Sequence, residues 1–207
     1  MRITQEAKEK TRKTILESTE NLFAERGFEQ TTTRDISAAS GIAKGTLFNY
    51  FKSKETLAMT LVAGAMESGK KQYERRTTGE EGLVEELFLF IASELRALKP
   101  FRKYIGPVLE SSMSVFSKKS TCPAGEEAKH NHLKTVGRIL AKHGFEMEHD
   151  SIVVTLYWSL YLGILAHWSN DDTHNQSETL GLIDYSMQTF ANTISANSGV
   201  EQAVSNE

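Results

Sequence analysis

The chain has 207 residues, a formal charge of −3 and 39% hydrophobic residues, enough for a sizeable core in one or two domains. Its single cysteine, Cys122, rules out an internal disulfide and fits a reducing compartment. Only three prolines interrupt long periodic stretches, and no Arg-rich or apolar targeting segment opens the chain, so an all-helical cytoplasmic protein is expected.

Residues 5–26 read as an amphipathic helix, with Ile15, Thr19, Leu22 and Phe23 at the i, i+4, i+7, i+8 spacing of one buried face. Gly27 ends it and lets Phe28 fold back. Thr32 and Thr33 are good N-caps, and Asp35 sits in the first turn, where its charge suits the positive helix end. That helix turns Ile36 and Ala39 inward. Gly41 can take the left-handed conformation that stops it. A second short helix begins near Ala43 or Lys44. Leu47 and Phe51 fall on its inner face, which leaves Lys44, Thr46, Phe48, Asn49 and Tyr50 on the others. Ser53 then caps a further helix. Residues 41–55 therefore read as the turn and second helix of a helix-turn-helix, followed by the start of another helix. Such a second helix can present its N-terminal residues to the DNA major groove.

The remainder divides at visible breaks. Residues 54–76 form a connecting helix, and Gly79 and Gly82 flank the next break. Residues 83–98 place Leu83, Leu87, Phe90, Ile91, Leu95 and Leu98 at helical spacing before Pro100 stops them. Pro107 starts or kinks a helix that runs to Phe116. Residues 117–125 read as a polar loop, and residues 126–143 as another helix. Residues 151–169 contain no charged side chain unless His167 is protonated, and they carry small residues at Ser159, Gly163 and Ala166. A membrane span would need about 20 apolar residues with flanking cations, which are absent here. A helix apolar nearly all round must instead be buried on more than one side, either as a core helix of a monomer or, the preferred reading, with one face on its own domain and one on a second subunit. Residues 178–194 supply a partner helix. Two such pairs, one from each subunit, would make an intermolecular four-helix bundle through Ile152, Leu156, Ser159, Leu160, Gly163, Ile183, Met187 and Phe190.

Charge is unevenly spread. Residues 1–54 hold ten Lys/Arg and seven Asp/Glu, whereas residues 55–207 hold fourteen and twenty. A basic end facing phosphates and an acidic end held away from them is the polarity of a DNA binder.

The N-terminal segment resembles the DNA-binding domain of the TetR family of transcriptional regulators. The resemblance is carried by Phe23, Gly27 and Phe28, by Thr32-Thr33-Arg34-Asp35-Ile36, by Gly41 and Lys44-Gly45-Thr46-Leu47-Phe48, and by Tyr50-Phe51 and Ser53-Lys54-Glu55. Two positions depart from the usual pattern. Phe48 stands where Tyr is common and Asn49 where His is common, which bears on the operator sequence and not on the fold. The resemblance implies an all-α protein with a DNA-binding domain at 1–53 and a helical effector-binding and dimerisation domain at 54–196; the polar composition from Ser195 onward makes 197–207 an expected disordered tail. It implies a homodimer that binds a double-stranded, pseudo-palindromic operator and is released by a small, largely apolar effector. A DNA-organising or adaptor protein without an effector is the alternative.

Within that frame Thr32, Thr33, Lys44, Tyr50 and Lys54 are assigned to phosphates, and Gly45 to close backbone approach. Thr46, Phe48 and Asn49 are assigned to base edges, Phe48 toward a thymine methyl and Asn49 toward adenine. Candidate effector-pocket residues are Phe90, Tyr104, Met113, Phe116, Tyr157, Tyr161, His167 and Trp168. No cofactor, metal or membrane partner is expected. The string His130-Asn131-His132 recurs in nucleases, but i and i+2 positions on a helix face different ways. The other histidines lack metal-ligand spacing, and no phosphate loop or nucleophile elbow is present, so an enzyme is not expected.

Overall fold

The computed structural model describes residues 4–113, 122–145 and 151–204, and every regular element among them is a helix. In chain order these are α1 (Gln5–Arg26), α2 (Thr33–Ala39), α3 (Lys44–Tyr50), α4 (Lys54–Arg76) and α5 (Leu83–Leu98). A 3-10 helix (Lys99–Tyr104) leads into α6 (Ile105–Met113), followed by α7 (Pro123–Lys142) and α8 (Ser151–Asn170). A short 3-10 turn (His174–Gln176) precedes α9 (Ser177–Val204). Two compact units result, one from residues 1–64 with 100–127 and one from residues 65–99 with 128–207. The division falls inside α4.

In the first unit α1 starts at Thr4, whose hydroxyl accepts the Ala7 N–H, and it ends at Gly27, where φ is +81°. Ile15, Leu22 and Phe23 are buried, as their spacing requires. Thr31 is also buried, and its hydroxyl donates to the Gly27 carbonyl at 2.8 Å, fixing the short link to α2. Phe28 folds back edge-on to Phe23 at 5.3 Å between ring centroids, and Tyr104 stacks on Phe28 at 5.7 Å. Tyr104, expected in an effector pocket, therefore belongs to this core. Its side chain is apolar over most of its surface and fills the space left between the two Phe rings.

In the second unit α9 packs on α5 and α8. Helix α5 buries Leu87, Phe90, Ile91, Leu95 and Leu98. It also buries Glu86 and Glu94, which share one helix face with Phe90 at i, i+4, i+8. Glu86 accepts the Tyr73 hydroxyl at 2.7 Å, and its other oxygen accepts Lys142 Nζ at 2.8 Å and His143 Nε2 at 2.7 Å. Burial pushes the Glu86 carboxyl up, but the bonds from Lys142, Tyr73 and His143 outweigh that and hold it below its ordinary value. Helix α4 passes close enough to α5 that a Cβ on Gly69 would lie 2.6 Å from Glu94 Cα.

Two boundaries differ from the sequence reading. Helix α7 starts at Pro123, not at 126, because proline suits the first helical position, where no N–H partner is needed. Helix α5 ends at Leu98 just before Pro100, residues 99–104 follow as 3-10 helix, and Pro107 lies in the first turn of α6, each as the prolines require. Helix α9 continues to Val204, through residues 197–204 of the tail expected to be disordered, since no proline interrupts it. Phe116 and the side chain of Met113 lie outside the described residues.

Asp171, buried after α8, gathers both ends of the link to α9: its carboxylate accepts N–H and hydroxyl donors from Thr173 and from Thr179. Those bonds, led by the Thr173 hydroxyl, hold its carboxyl far below the usual aspartate range.

Two predictions follow from this packing. Gly69→Ala should lower stability by about 2 kcal/mol, since backbone must shift to admit the methyl. Gly64→Ala, whose Cβ meets nothing within 4 Å, should raise it by up to about 1 kcal/mol, and urea denaturation compares the two. Asp171 is ionised in the folded state well below 3.8, its ordinary value, so its contribution is present above that pH and is lost as pH falls further. Acid denaturation monitored by circular dichroism should show Asp171→Asn losing less stability than the wild type below about pH 4.

Candidate functional site

The geometry of α2 and α3 is set by local capping. Thr32 is the N-cap of α2: its hydroxyl accepts the Asp35 N–H at 3.2 Å, and Asp35 accepts the Thr32 N–H at 2.9 Å, a closed capping box. The Thr32 hydroxyl also donates to Asp35 at 2.6 Å, and these bonds, the side-chain one first, lower the Asp35 pKa. The helix ends at Ser40. Gly41 follows at φ +65°, and the Ile42 N–H returns to the Ser37 carbonyl at 3.0 Å. This turn fixes the direction in which α3 leaves.

Helix α3 is two turns long and turns Leu47 inward, with Phe51 buried just beyond it. Lys44, Gly45, Phe48 and Asn49 are exposed, and Thr46 and Tyr50 are half-buried. Phe48 is the notable one, an aromatic ring left 37% exposed with the Lys44 ammonium 5.9 Å from its centroid. A short helix therefore presents a cation, an apolar ring and an amide on one outward surface. That combination can reach phosphate, a thymine methyl and an adenine edge.

Two expected phosphate contacts are committed elsewhere. The Thr32 hydroxyl and N–H are spent on the capping box. Lys54 Nζ donates to the Phe28 carbonyl at 2.7 Å and sits 4.0 Å from the Phe28 ring centroid, so it locks α4 to the α1–α2 link. Thr33 remains half-buried in the first turn of α2, next to an exposed Arg34 that the sequence reading did not assign.

The expected effector residues separate. Phe90, Tyr157, Tyr161 and Trp168 are fully buried in the second unit. Phe90, Tyr157 and Tyr161 converge on His132, with ring centroids 5.0, 5.7 and 4.0 Å from it. His132 Nε2 is 3.0 Å from the Tyr157 hydroxyl, its Nδ1 is 2.9 Å from Glu94, and Tyr161 donates to Glu94 at 3.0 Å. Burial, with the Glu94 charge second, pushes both tyrosine hydroxyls well above their ordinary pKa. His132 and Glu94 escape the sequence reading because ionisable residues are ordinarily solvent-facing, although both lie on buried helix faces. The signal available was a histidine and a glutamate at inward-facing helix positions.

His167 is elsewhere, on the wall of an open cleft of about 470 Å³ with Asp171, Asp172 and Glu178. His167, Asp171 and Glu178 bring ligand atoms within 4.8 Å of one another. The Asp171 oxygens already accept four donors, which uses the lone pairs a metal would need. Only two ligands remain, too few for a protein metal site.

The dimer residues also divide. Ile183, Met187 and Phe190 are 0% exposed within a single chain, so they are not available to a second subunit. Helix α9 uses that face to pack on its own α5 and α8. Leu180, read from the sequence onto the same side, is instead 41% exposed, and Tyr185 is 73% exposed. On α8, Ile152, Ser159 and Gly163 are exposed and Leu156 and Leu160 half-buried, opposite an inner face of Val153, Tyr157, Trp158, Tyr161, Ile164, Leu165 and Trp168. This helix is long and apolar enough to cross a bilayer, but that inner face is packed within its own unit.

A capped helix pair joined by a tight glycine turn, with the second helix exposed, is the geometry of a helix-turn-helix. Residues 15–59 match the model for bacterial regulatory proteins of the tetR family. The repressor KstR2 of Rhodococcus jostii is 42% identical over 53 residues, 26% of this chain and 26% of KstR2. The repressor AcnR of Corynebacterium efficiens is 39% identical over 75 residues, 36% of this chain and 37% of AcnR. The chain thus matches these curated relatives over little more than a third of their length at most. In fold the likeness extends further. The structure of Thermus thermophilus FadR, a TetR-family repressor in complex with lauroyl-CoA, superposes over 88% of this chain and 92% of that one. The TM-score is 0.62 at 19% identity. Residues 15–59 thus match the DNA-binding segment of the tetR family in sequence, and the likeness over the rest of the chain is one of fold.

Asn49→Ala is expected to relax base preference at one operator position, costing about 1–3 kcal/mol on the preferred sequence and little on others. Lys44→Ala should weaken all sequences alike and reduce the salt slope by about one. Fluorescence anisotropy on matched and mismatched duplexes separates the two.

Proposed function

We propose that this protein is a transcriptional repressor that binds a pseudo-palindromic operator as a homodimer and is released by a small, largely apolar effector. The observation that carries the reading is the outward surface of α3, where Lys44, Phe48 and Asn49 are exposed on a helix held from behind by Leu47 and Phe51. Residues 1–53 act as the DNA-binding domain. Thr33, Lys44 and Tyr50 hold phosphates, Gly45 lets the backbone approach, and Thr46, Phe48 and Asn49 meet base edges.

Residues 54–196 take the effector and the second subunit. The apolar face that α8 and α9 leave exposed, with Ile152, Leu156, Ser159, Leu160, Gly163, Leu180 and Tyr185, supports dimerisation there. A single seven-residue helix reads few base pairs. Two copies about one helical turn apart, or a multiple of it, read a palindrome. The lauroyl-CoA held by a neighbour of the same fold supports an effector with a long apolar body. Such a ligand acts only by favouring one spacing of the paired α3 helices.

Selection from a random duplex pool at moderate salt should recover a pseudo-palindrome. Analytical ultracentrifugation should give a dimer, and Gly163→Arg, which meets no atom of its own chain at the Cβ, should give a folded monomer with at least tenfold weaker operator binding. A folded wild type that recovers no sequence, or stays monomeric, would sink the proposal.

A further inference from the structure

The second unit buries a carboxyl group whose nearest basic side chain is a histidine, His132, 2.9 Å away. Glu94 is 2% exposed, and among the described residues no Lys or Arg reaches its carboxylate. One oxygen accepts the Tyr161 hydroxyl and lies 2.9 Å from His132 Nδ1, but outside the direction of a ring N–H, so Nδ1 makes no hydrogen bond. Trp158 Nε1, on a ring 3% exposed and centred 5.8 Å from His132, is likewise unpartnered. Unpaired buried polar atoms are rare in folded proteins, and a group of them marks a place where a partner belongs. The surroundings are aromatic. Phe90, Tyr157, Trp158 and Tyr161 all lie within 5.8 Å of the His132 ring, centroid to centroid.

A carboxylate among π faces is the chemical complement of an organic cation. The rings offer negative quadrupole faces, and the carboxylate supplies the opposite charge in a site closed to water. An anionic head group would meet repulsion at the same place.

We propose that Glu94 and the rings around it form the head-group anchor of the effector site, and that the effector is an apolar amine, protonated at neutral pH, or a quaternary ammonium. The inference rests on the effector-responsive reading above. Glu94 neutralises the cation, Tyr157 and Tyr161 receive it on their faces, and the apolar body replaces ring contacts as it enters, while the Trp158 ring keeps the Lys129 ammonium 4.9 Å from its centroid. Glu94 Cα abuts Gly69 of α4, so a ligand that shifts this residue bears directly on α4, the helix that runs on from the helix-turn-helix.

The test uses three probes with one apolar body: 4-phenylbutylamine, 4-phenylbutanol and 4-phenylbutyrate. Each is titrated into the full chain without DNA, followed by calorimetry and by the fluorescence of Trp158 and Trp168. The amine should bind at least tenfold more tightly than the alcohol, and the carboxylate weakest. Glu94→Gln should erase the preference of amine over alcohol while the alcohol's own affinity stays within about twofold, a change that a merely structural role would not produce. If that variant does not fold, Glu94→Asp keeps the charge and should keep the preference. Equal binding of the three probes, binding of none at millimolar concentration, or an undiminished preference in folded Glu94→Gln overturns the anchor. If the protein meanwhile selects a palindrome, the regulator reading stands and only the anchor falls; if no sequence is selected either, both fall.

Discussion

Helix α5 carries two carboxylates on the face it buries, and the packing of the second unit is arranged around them. A buried charge is tolerated only where hydrogen bonds or opposite charge replace water. Glu86 therefore draws Tyr73 from α4 and Lys142 and His143 from the end of α7 onto itself. Glu94, two turns on, holds Tyr161 of α8 and faces His132 of α7. Phe90 lies between them and touches both groups, edge-on to Tyr73 at 5.3 Å and tilted over His132 at 5.0 Å. The same face that would be a plain apolar stripe thus ties three other helices in defined registers. The close pass of Gly69 past Glu94 is part of the same arrangement, since only a residue without a side chain lets the two backbones come together there.

The first unit reaches its rigidity differently, through short-range devices. The capping box of Thr32 and Asp35, the left-handed Gly41 and the Thr31 hydroxyl bond each fix a link of a few residues. Together they aim α3 with little help from a large core. Lys54 shows how far this goes: a cation at the start of α4 is spent on the Phe28 carbonyl and ring, not on the surface. What remains outward on α3 is left exposed because the fold does not need it. The two units therefore place their chemistry in opposite ways, one by leaving side chains out of a locally fixed frame and the other by drawing polar groups into a core.

The sequence by itself determined the helices and the helix-turn-helix, because caps, left-handed glycines and 3.6-residue apolar spacing are local properties written within a few positions. Helix α1 and helix α4 lie where that spacing puts them, and Leu47 and Phe51 are buried as expected. The outward residues of α3 were legible for the same reason. Tertiary structure alone decided which of several buried residues lie together. Tyr104 is in the first core and Phe90 and Tyr157 are in the second, yet all three carry the same apolar signal along the chain. It also decided which face of α9 is used up at home, since Ile183, Met187 and Phe190 would suit a second subunit as well as they suit α5. Glu94 and His132 lie 38 residues apart, and their pairing depends on how α5, α7 and α8 pack. Side-chain periodicity gives a helix its inner face but not the identity of its neighbour, because burial is non-directional whereas a hydrogen bond between distant residues needs a particular register.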